Sequence, residues 1–440
     1  QVIKKLLPQG KTTVFKAQLR ILPSVAFISA FLNNTPVVVI FAPIIKHWAK
    51  SVNLPATKFL IPLSYVTILG GICTLIGTST NLVVHGMILE AGFEGFSMFE
   101  LGKVGVFIAI AGIIYIFLFS KRLLPDARPD TAVPDEEIEE GEKFHRVEAV
   151  LGARFPGINK KLKDFNFQRH YGAEVKEIKT RNGQRFVTNL DDVVLHEGDT
   201  LVVMADDTFI PTWGESSVFV LLTNGNEPDT SGKKKRWFAL LLLVLMIVGA
   251  TVGELPVTKE MFPDIKLDMF FFVSITTIIM AWTNLFPARK YTKYISWDIL
   301  ITIACAFAIS KAMVNSGVAD SVAKFIIGLS DDYGPHVLLA MVFIITNLFT
   351  ELITNNAAAA LAFPLALSIS AQLGVSPTPF FVVICMAASA SFSTPIGYQT
   401  NLIVQGIGNY KFTDFVRIGL PLNIITFLIS VILIPLIWNF

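Results

Sequence analysis

The chain has 440 residues, 53% hydrophobic and 16% charged, with 36 phenylalanines and a mean hydropathy of +0.60. A soluble domain carries roughly 25% charged residues, so this is not the composition of a soluble globule. A net charge of +2, with no basic arm and no aromatic-interleaved basic patch, gives no sign of nucleic-acid binding. The charge is also uneven: 39 of the 70 charged residues fall between positions 121 and 236, which places a soluble domain between two membrane halves. Cys73, Cys305 and Cys385 all stand in apolar runs, where they read as small buried hydrophobes without a disulfide framework or metal spacing.

Residues 1–20 carry Lys4, Lys5, Lys11, Lys16 and Arg20, the Lys/Arg excess of a cytoplasmic flank. Residues 21–45 are apolar but interrupted by Asn33-Asn34-Thr35-Pro36, and Lys46, His47 and Lys50 follow. Each arm is shorter than the ~20 residues a span requires, and both ends are positive, so a re-entrant hairpin opening to the cytoplasm is expected. By the logic of the repeat described below, further helices are expected ahead of Gln1. Residues 62–76 and 82–89 form a span broken at Gly77-Thr78-Ser79-Thr80-Asn81, and residues 101–119 return to Lys121-Arg122. An acidic tether follows at 125–142. Within the soluble part, strands are expected at 145–151, 174–179, 185–188 and 199–204, a short helix at 159–167, and a hairpin turn at Asn182-Gly183. The basic run before residue 237 reads as a cytoplasmic membrane stop. Spans are then expected at 237–253, 267–286 (ending at Arg289, Lys290 and Lys293) and 295–314, with Asp331-Asp332 outside. A second interrupted hairpin at 337–370, a second broken span at 379–409 and a last span at 413–438 complete the chain.

The interruptions repeat. Asn34 lies 47 positions before Asn81 and Asn355 lies 46 before Asn401, while Pro43 and Pro364 each stand nine after their asparagine. The charge bookkeeping makes the first hairpin enter from inside and the second from outside, so the halves are related by inversion, as in many secondary transporters. The expected fold is an α-helical polytopic membrane protein of inverted repeats, with two re-entrant hairpins, two broken helices and a small α/β cytoplasmic insert. Its parts are a first transport half (1–122), a linker (123–143), the insert (144–225) and a second transport half (226–440).

Helix-breaking backbone in an apolar segment is tolerated only where it is buried or lines a cavity. Unpaired helix-end N–H groups favour anions, and carbonyls with side-chain oxygens suit a hard cation such as sodium. The tips and breaks would therefore make two cation sites with an anion between them. Ser29 and Thr350, one turn before the tips, are candidate extra oxygen ligands. Glu351 beside the second tip is an intramembrane carboxylate, either a proton relay or a hydrogen-bonding anchor. His85 is either a coupling group or a packed histidine, and Lys311 either snorkels or attracts an anion. There is no Ser/His/Asp nucleophile set, P-loop or Gly-x-Gly-x-x-Gly, so neither an enzyme nor a cofactor is expected.

Ala30-Phe-Leu-Asn-Asn-Thr-Pro36, Gly77-Thr-Ser-Thr-Asn-Leu82, Thr350-Glu-Leu-Ile-Thr-Asn-Asn-Ala357 and Ser393-Thr-Pro-Ile-Gly-Tyr-Gln-Thr-Asn-Leu402 resemble the tips and broken helices of the divalent-anion:sodium symporters, the solute carrier family 13 type of the ion-transporter superfamily. The family's Ser-Asn-Thr tip stands here as Asn33-Asn34-Thr35 and Thr354-Asn355-Asn356, as in a bacterial branch with a cytoplasmic insert, and the insert resembles one copy of a TrkA C-terminal (RCK_C) domain. The resemblance implies a homodimer in the bacterial inner (cell) membrane, moving sulfate or a dicarboxylate with sodium by an elevator motion. It also implies a small-molecule regulator at the insert. Sodium would be held at Ser29, Asn33, Asn34, Gly77, Asn81, Thr350, Asn355, Gly397 and Asn401. The anion would meet Asn33, Asn34, Thr35, Thr78, Ser79, Thr80, Thr354, Asn355, Asn356, Thr394, Pro395 and Thr400. The alternatives are a proton-coupled or arsenite-type permease, for which Glu351 or His85 would carry the proton, and a ligand-gated channel.

Overall fold

The computed structural model describes residues 7–8, 12–126, 144–152, 154–180, 184–206, 209–213, 218–223, 233–253, 256–261, 267–285, 297–328 and 334–440. The Asn182-Gly183 turn, most of 125–142, Lys4, Lys5, Lys11, Arg289, Lys290, Lys293 and Asp331-Asp332 lie outside them. Five helices open the chain: α1 (Val14–Ser29), α2 (Asn34–Ser51), α3 (Leu60–Gly71), α4 (Ser79–Glu90) and α5 (Gly102–Leu123). Five close it: α13 (Gly334–Leu352), α14 (Asn355–Leu373), α15 (Thr378–Ser389), α16 (Gln399–Gly408) and α17 (Phe412–Ile437). Between them stand α8 (Lys233–Gly253), α9 (Pro256–Met261), α10 (Met269–Trp282), α11 (Trp297–Asn315) and α12 (Val318–Gly328). Among the described residues four helices, α5, α13, α14 and α17, are long and apolar enough to cross a membrane. A fifth crossing results if Leu300–Asn315 and Val318–Gly328, bent by 72° at a Gly317 of positive φ, count as one.

The core sits around α3 and α15. An apolar surface on every side of a helix forces burial on every side, and all of α3 and Pro379 through Ser389 of α15 are buried. Helices α1 and α2 flank α3, with α5 behind; α13 and α14 flank α15, with α17 behind. The groups then exchange partners: α4 packs on α14 and α15, α16 packs on α2 and α3, and α5 packs on α17. Two glycines seat the outer helices. A Cβ at Gly105 would lie 2.6 Å from Ile72 O, and one at Gly419 would collide with Phe392 O.

The segment between the two helical groups forms a five-stranded antiparallel sheet of order β3-β2-β4-β1-β5. Its strands are β1 (Phe144–Leu151), β2 (Glu174–Lys179), β3 (Arg185–Phe186), β4 (Thr200–Asp206) and β5 (Phe219–Thr223). Two short helices, α6 (Phe167–Tyr171) and α7 (Phe209–Trp213), lie with them, and Phe155, Phe165, Phe167, Tyr171 and Phe219 fill the sheet's own core. The sheet rests on α2 and α16. Lys46 Nζ pairs with Glu148 Oε2 at 3.4 Å, and a Cβ at Gly406 would lie 2.6 Å from Thr200 Oγ1. At the opposite end His336 meets Phe440 edge-on, Phe380 packs against it at a tilt, and Trp438 donates to Glu100. The open end of α1 and α2 therefore faces the sheet, whereas α13 begins, and α17 ends, on the far side.

Several expectations shift. The arms of the first interrupted segment are 16 and 18 residues, longer than the apolar run, and the break falls at 30–33 rather than 33–36. The break of the next segment falls at 72–78, not 77–81. The cause is common to both: Asn, Thr and Ser that interrupt an apolar run also start helices well, so they occupy first turns. The helix expected at 159–167 is instead a 3₁₀ turn at Leu162–Asp164 followed by α6, and β5 was not anticipated. Cys305 is exposed on α11 rather than buried.

Burial raises the Glu148 carboxyl, but Lys46 and Lys179 beside it more than reverse this and hold it at about 2. A carboxylate held below its ordinary value stabilises above that value and is lost only as pH falls through the folded one. The dock should thus be unchanged between pH 7 and 5 and weaken only below about pH 4. Glu148→Gln leaves Lys46 without its counter-charge and Lys179 with only the longer pairing to Glu177 at 3.9 Å; amide exchange over Phe144–Leu151 should accelerate about tenfold, or about 1.4 kcal/mol.

Candidate functional site

At the first break α1 ends at Ser29 and α2 begins at Asn34. Ser29 Oγ donates to Asn34 Oδ1 at 2.7 Å, closing the tip on itself. The chain leaving α3 lies against it. Thr74 Oγ1 donates to Ala30 O, Gly77 N donates to Thr74 Oγ1 at 3.1 Å, and Asn81 Nδ2 donates to Thr74 O at 2.9 Å. Gly77 has no room for a Cβ between Gly71 O and Ala30 O.

The second break repeats this bond for bond. Thr350 Oγ1 donates to Asn355 Oδ1 at 2.7 Å, and Thr394 Oγ1 donates to Glu351 O at 2.9 Å. Gly397 N donates to Thr394 Oγ1 at 3.4 Å, and Asn401 Nδ2 donates to Thr394 O at 3.2 Å and to Ser391 O at 2.8 Å. Gly397 is closed to a Cβ by Ser391 and Thr350 O. Ser29, Asn34, Asn81, Thr350, Asn355 and Asn401 are all buried, and among the described residues Asn81 Oδ1 and Asn355 Nδ2 have no hydrogen-bond partner. Each break thus gathers carbonyl, hydroxyl and carboxamide oxygens in a buried interior.

The two breaks are then laced together. Asn34 Nδ2 donates to Tyr398 OH at 2.7 Å, and Thr35 Oγ1 donates to Gln399 Oε1 at 3.4 Å. Reciprocally, Ser79 and Thr80 both donate to Asn356 Oδ1 at 3.2 Å. Each tip therefore meets the broken helix of the opposite group. The reciprocity fails once: Thr78 stands where Tyr398 does, and among the described residues Asn355 Nδ2 has no hydrogen-bond partner. Four helices begin at this junction. Helices α2, α4 and α16 start without a side-chain cap, and α14 is capped by Thr354, whose Oγ1 accepts from Ala357 N at 3.4 Å. Free first-turn N–H groups carry a partial positive charge, and here four such ends face one region.

The sequence-derived candidates are therefore brought together, with differences of place. Asn33 is the half-exposed residue before α2 and makes no cap bond. Thr78 and Pro395 are buried within the breaks, and Thr400 accepts from Ser64 Oγ at 2.9 Å beneath α16. His85 is not at the junction; its Nδ1 accepts from Phe96 N at 3.0 Å and holds the loop after α4. Lys311 is exposed on α11. Glu351 is buried, and its Oε1 accepts from Ser393 N at 2.8 Å and from Asn423 Nδ2 at 2.7 Å. Sequence reasoning missed Ser64, Thr74, Ser391, Tyr398, Gln399 and Asn423. Thr74 was findable, since it stands three before its break glycine, as the candidate Thr394 does before Gly397.

Polar breaks meeting from two halves in the interior of apolar helices define an integral membrane transporter. The sequence model of the citrate transporter family matches residues 1–367 and 265–440. An uncharacterized transporter of Synechocystis sp. is 30% identical over 497 aligned positions, covering 93% of this chain and 81% of that protein. Sodium/sulfate cotransporter 2 of Chlamydomonas reinhardtii is 31% identical over 281 positions, 64% of this chain and 31% of its own length. Solute carrier family 13 member 4 of Homo sapiens is 25% identical over 159 positions, 36% of this chain and 24% of its own. The chain belongs to the citrate transporter family.

Gly77→Ala puts a methyl against two carbonyl oxygens, a strain of about 1–3 kcal/mol. The variant should lower the melting temperature and reduce uptake at least tenfold, whereas Gly86→Ala, whose Cβ would meet only Phe307 at 3.9 Å, should change neither.

Proposed function

We propose that the protein is a secondary active transporter that carries a divalent anion, sulfate or a dicarboxylate, in symport with sodium. One observation carries this reading: four helix N-termini meet at a common junction, and the carbonyl ends of the helices before them lie beside it at two buried breaks. Neutral backbone dipoles attract an anion without a fixed positive side chain to trap it, and uncharged oxygens suit sodium. Sodium at Ser29, Asn34, Gly77 and Asn81, and at Thr350, Asn355, Gly397 and Asn401, would draw each tip onto its break. The half-exposed Asn33, Thr35, Ser79, Asn356 and Tyr398, with the exposed Gln399, would then face the anion. The name of the Chlamydomonas relative supports both sodium and sulfate.

On this reading the two helix groups are inverted repeats. Helices α1 with α2 and α13 with α14 are re-entrant hairpins, and the sheet domain lies in the cytoplasm at the inner (cell) membrane of a bacterium. The sheet is an RCK_C-like domain that a small molecule regulates, and a homodimer carries the transport units through an elevator motion.

Labelled sulfate uptake into proteoliposomes, with and without an inward sodium gradient and with succinate as competitor, tests this. Sodium-driven uptake blocked only by excess sulfate is the expected result. Sulfate uptake indifferent to sodium overturns the coupling, and succinate accumulation without sulfate uptake replaces the substrate. Asn34→Ala and Asn355→Ala each remove one oxygen from a sodium pocket and should raise the sodium concentration for half-maximal uptake about five- to tenfold, the equivalent of about 1 kcal/mol. Unchanged sodium activation in both rejects the site assignment.

A further inference from the structure

The two sodium pockets repeat in every backbone bond described above, yet they differ in charge. Thr74 bonds to the carbonyl of Ala30 and Thr394 to that of Glu351, so alanine and glutamate occupy the same place in the two tips. The surroundings differ in step. Gly105 and Gly419 sit on corresponding backbone, and four residues beyond them stand Ala109 and Asn423; Cys73 corresponds to Ser393. Around the first tip these places are apolar or thiol, and around the second they are a carboxylate, a carboxamide and a hydroxyl.

The carboxyl group is well held but has no cationic side chain beside it among the described residues. Its Oε1 takes both hydrogen bonds, from Ser393 N and Asn423 Nδ2, and Asn423 Nδ2 also donates to Ser393 Oγ at 2.8 Å. Glu351 Oε2 and Asn423 Oδ1 are buried without a hydrogen-bond partner among the described residues. Glu351 is 8% exposed, and among the described residues no Lys, Arg or His pairs with it. A buried carboxylate without a counter-charge is costly, and a cation next to it recovers much of that cost. The nearest place built for a cation is the pocket of its own tip: Thr350 precedes Glu351, and the carboxylate rests on Ser393, next to Thr394.

We infer that Glu351 is the fixed counter-charge of the second sodium pocket, making that pocket the tighter of the two and the first to fill. This rests on the sodium-symport reading above. The first pocket, neutral throughout, fills at higher sodium and is the step that responds to the gradient. Glu351 touches the ion through the field and through the backbone it fixes, so it is a positioning and affinity residue and not itself a ligand.

The test is equilibrium binding of radioactive sodium to the purified protein in detergent. Wild type should bind in two phases. Glu351→Gln keeps an Oε1 acceptor for Ser393 and Asn423 but removes the charge, and it should weaken the tight phase at least tenfold, about 1.4 kcal/mol. Glu351→Asp keeps the charge on a shorter arm and should retain the tight phase within about threefold. Asn423→Ala, which keeps the charge and removes the donor, should also retain it, and Asn34→Ala should remove only the weak phase. The reverse order, with Gln like wild type and Asp or Asn423→Ala without the tight phase, would make Glu351 a mere clasp and overturn the inference. A wild-type protein without saturable sodium binding overturns the symport reading itself, a result separable from the first.

Discussion

Peptide groups at an interrupted helix inside an apolar bundle must find partners there. Each N–H or C=O left bare costs about 1–3 kcal/mol in a protein interior, and each break frees several. The two breaks meet this demand with the same small set of groups: a hydroxyl one turn back, a carboxamide at the tip, a threonine and glycine in the crossing chain, and an asparagine beyond. Placing these groups fixes much else. The crossing chain must come close enough to exclude a side chain at Gly77 and Gly397, and the helices behind must come close enough to require Gly105 and Gly419. The helix ends left over are what gives the junction its electrostatics, positive where helices begin and negative where they end. Constraint of the fold and chemistry of the site are thus one arrangement.

How far this was legible in the sequence depends on the range of the interaction. The repeated motifs and their nearly equal spacing stood out, because a polar cluster inside an apolar run is a local signal. So did the long uniform helices such as α5, α8 and α17, and four of the five strands. The boundaries of the breaks did not, because Asn34, Ser79 and Asn355 both interrupt the apolar pattern and begin the next helix. The lacing of Asn34 to Tyr398 and of Ser79 to Asn356 joins residues 364 and 277 positions apart and leaves no local trace. Asn423 was invisible for the opposite reason: one carboxamide midway along a 26-residue, mostly apolar helix looks like an accident until its partners are seen. His85 shows the limit of proximity in sequence, being four residues from Asn81 yet engaged with a loop.

The sheet domain occupies a particular position. It touches α2 near Lys46 and α16 near Gly406, the two helices whose first turns carry Thr35 and Gln399. One surface therefore bridges the far ends of the two helices that meet at the junction. Its own aromatic core is separate from that of the helices.

The exchange of partners between the two groups of helices has a consequence for how the protein is made. As the chain emerges, α1 to α5 are complete long before residue 398 exists, and until then the amide of Asn34 and the first turn of α4 have no partner. Contacts this distant in sequence form late and slowly. The first group must therefore wait in the bilayer as an unfinished half, with polar tips that only the last fifth of the chain can close. A chain cut short anywhere before α16 is left with that polar interior open, a chemical mark by which an incomplete molecule differs from a finished one.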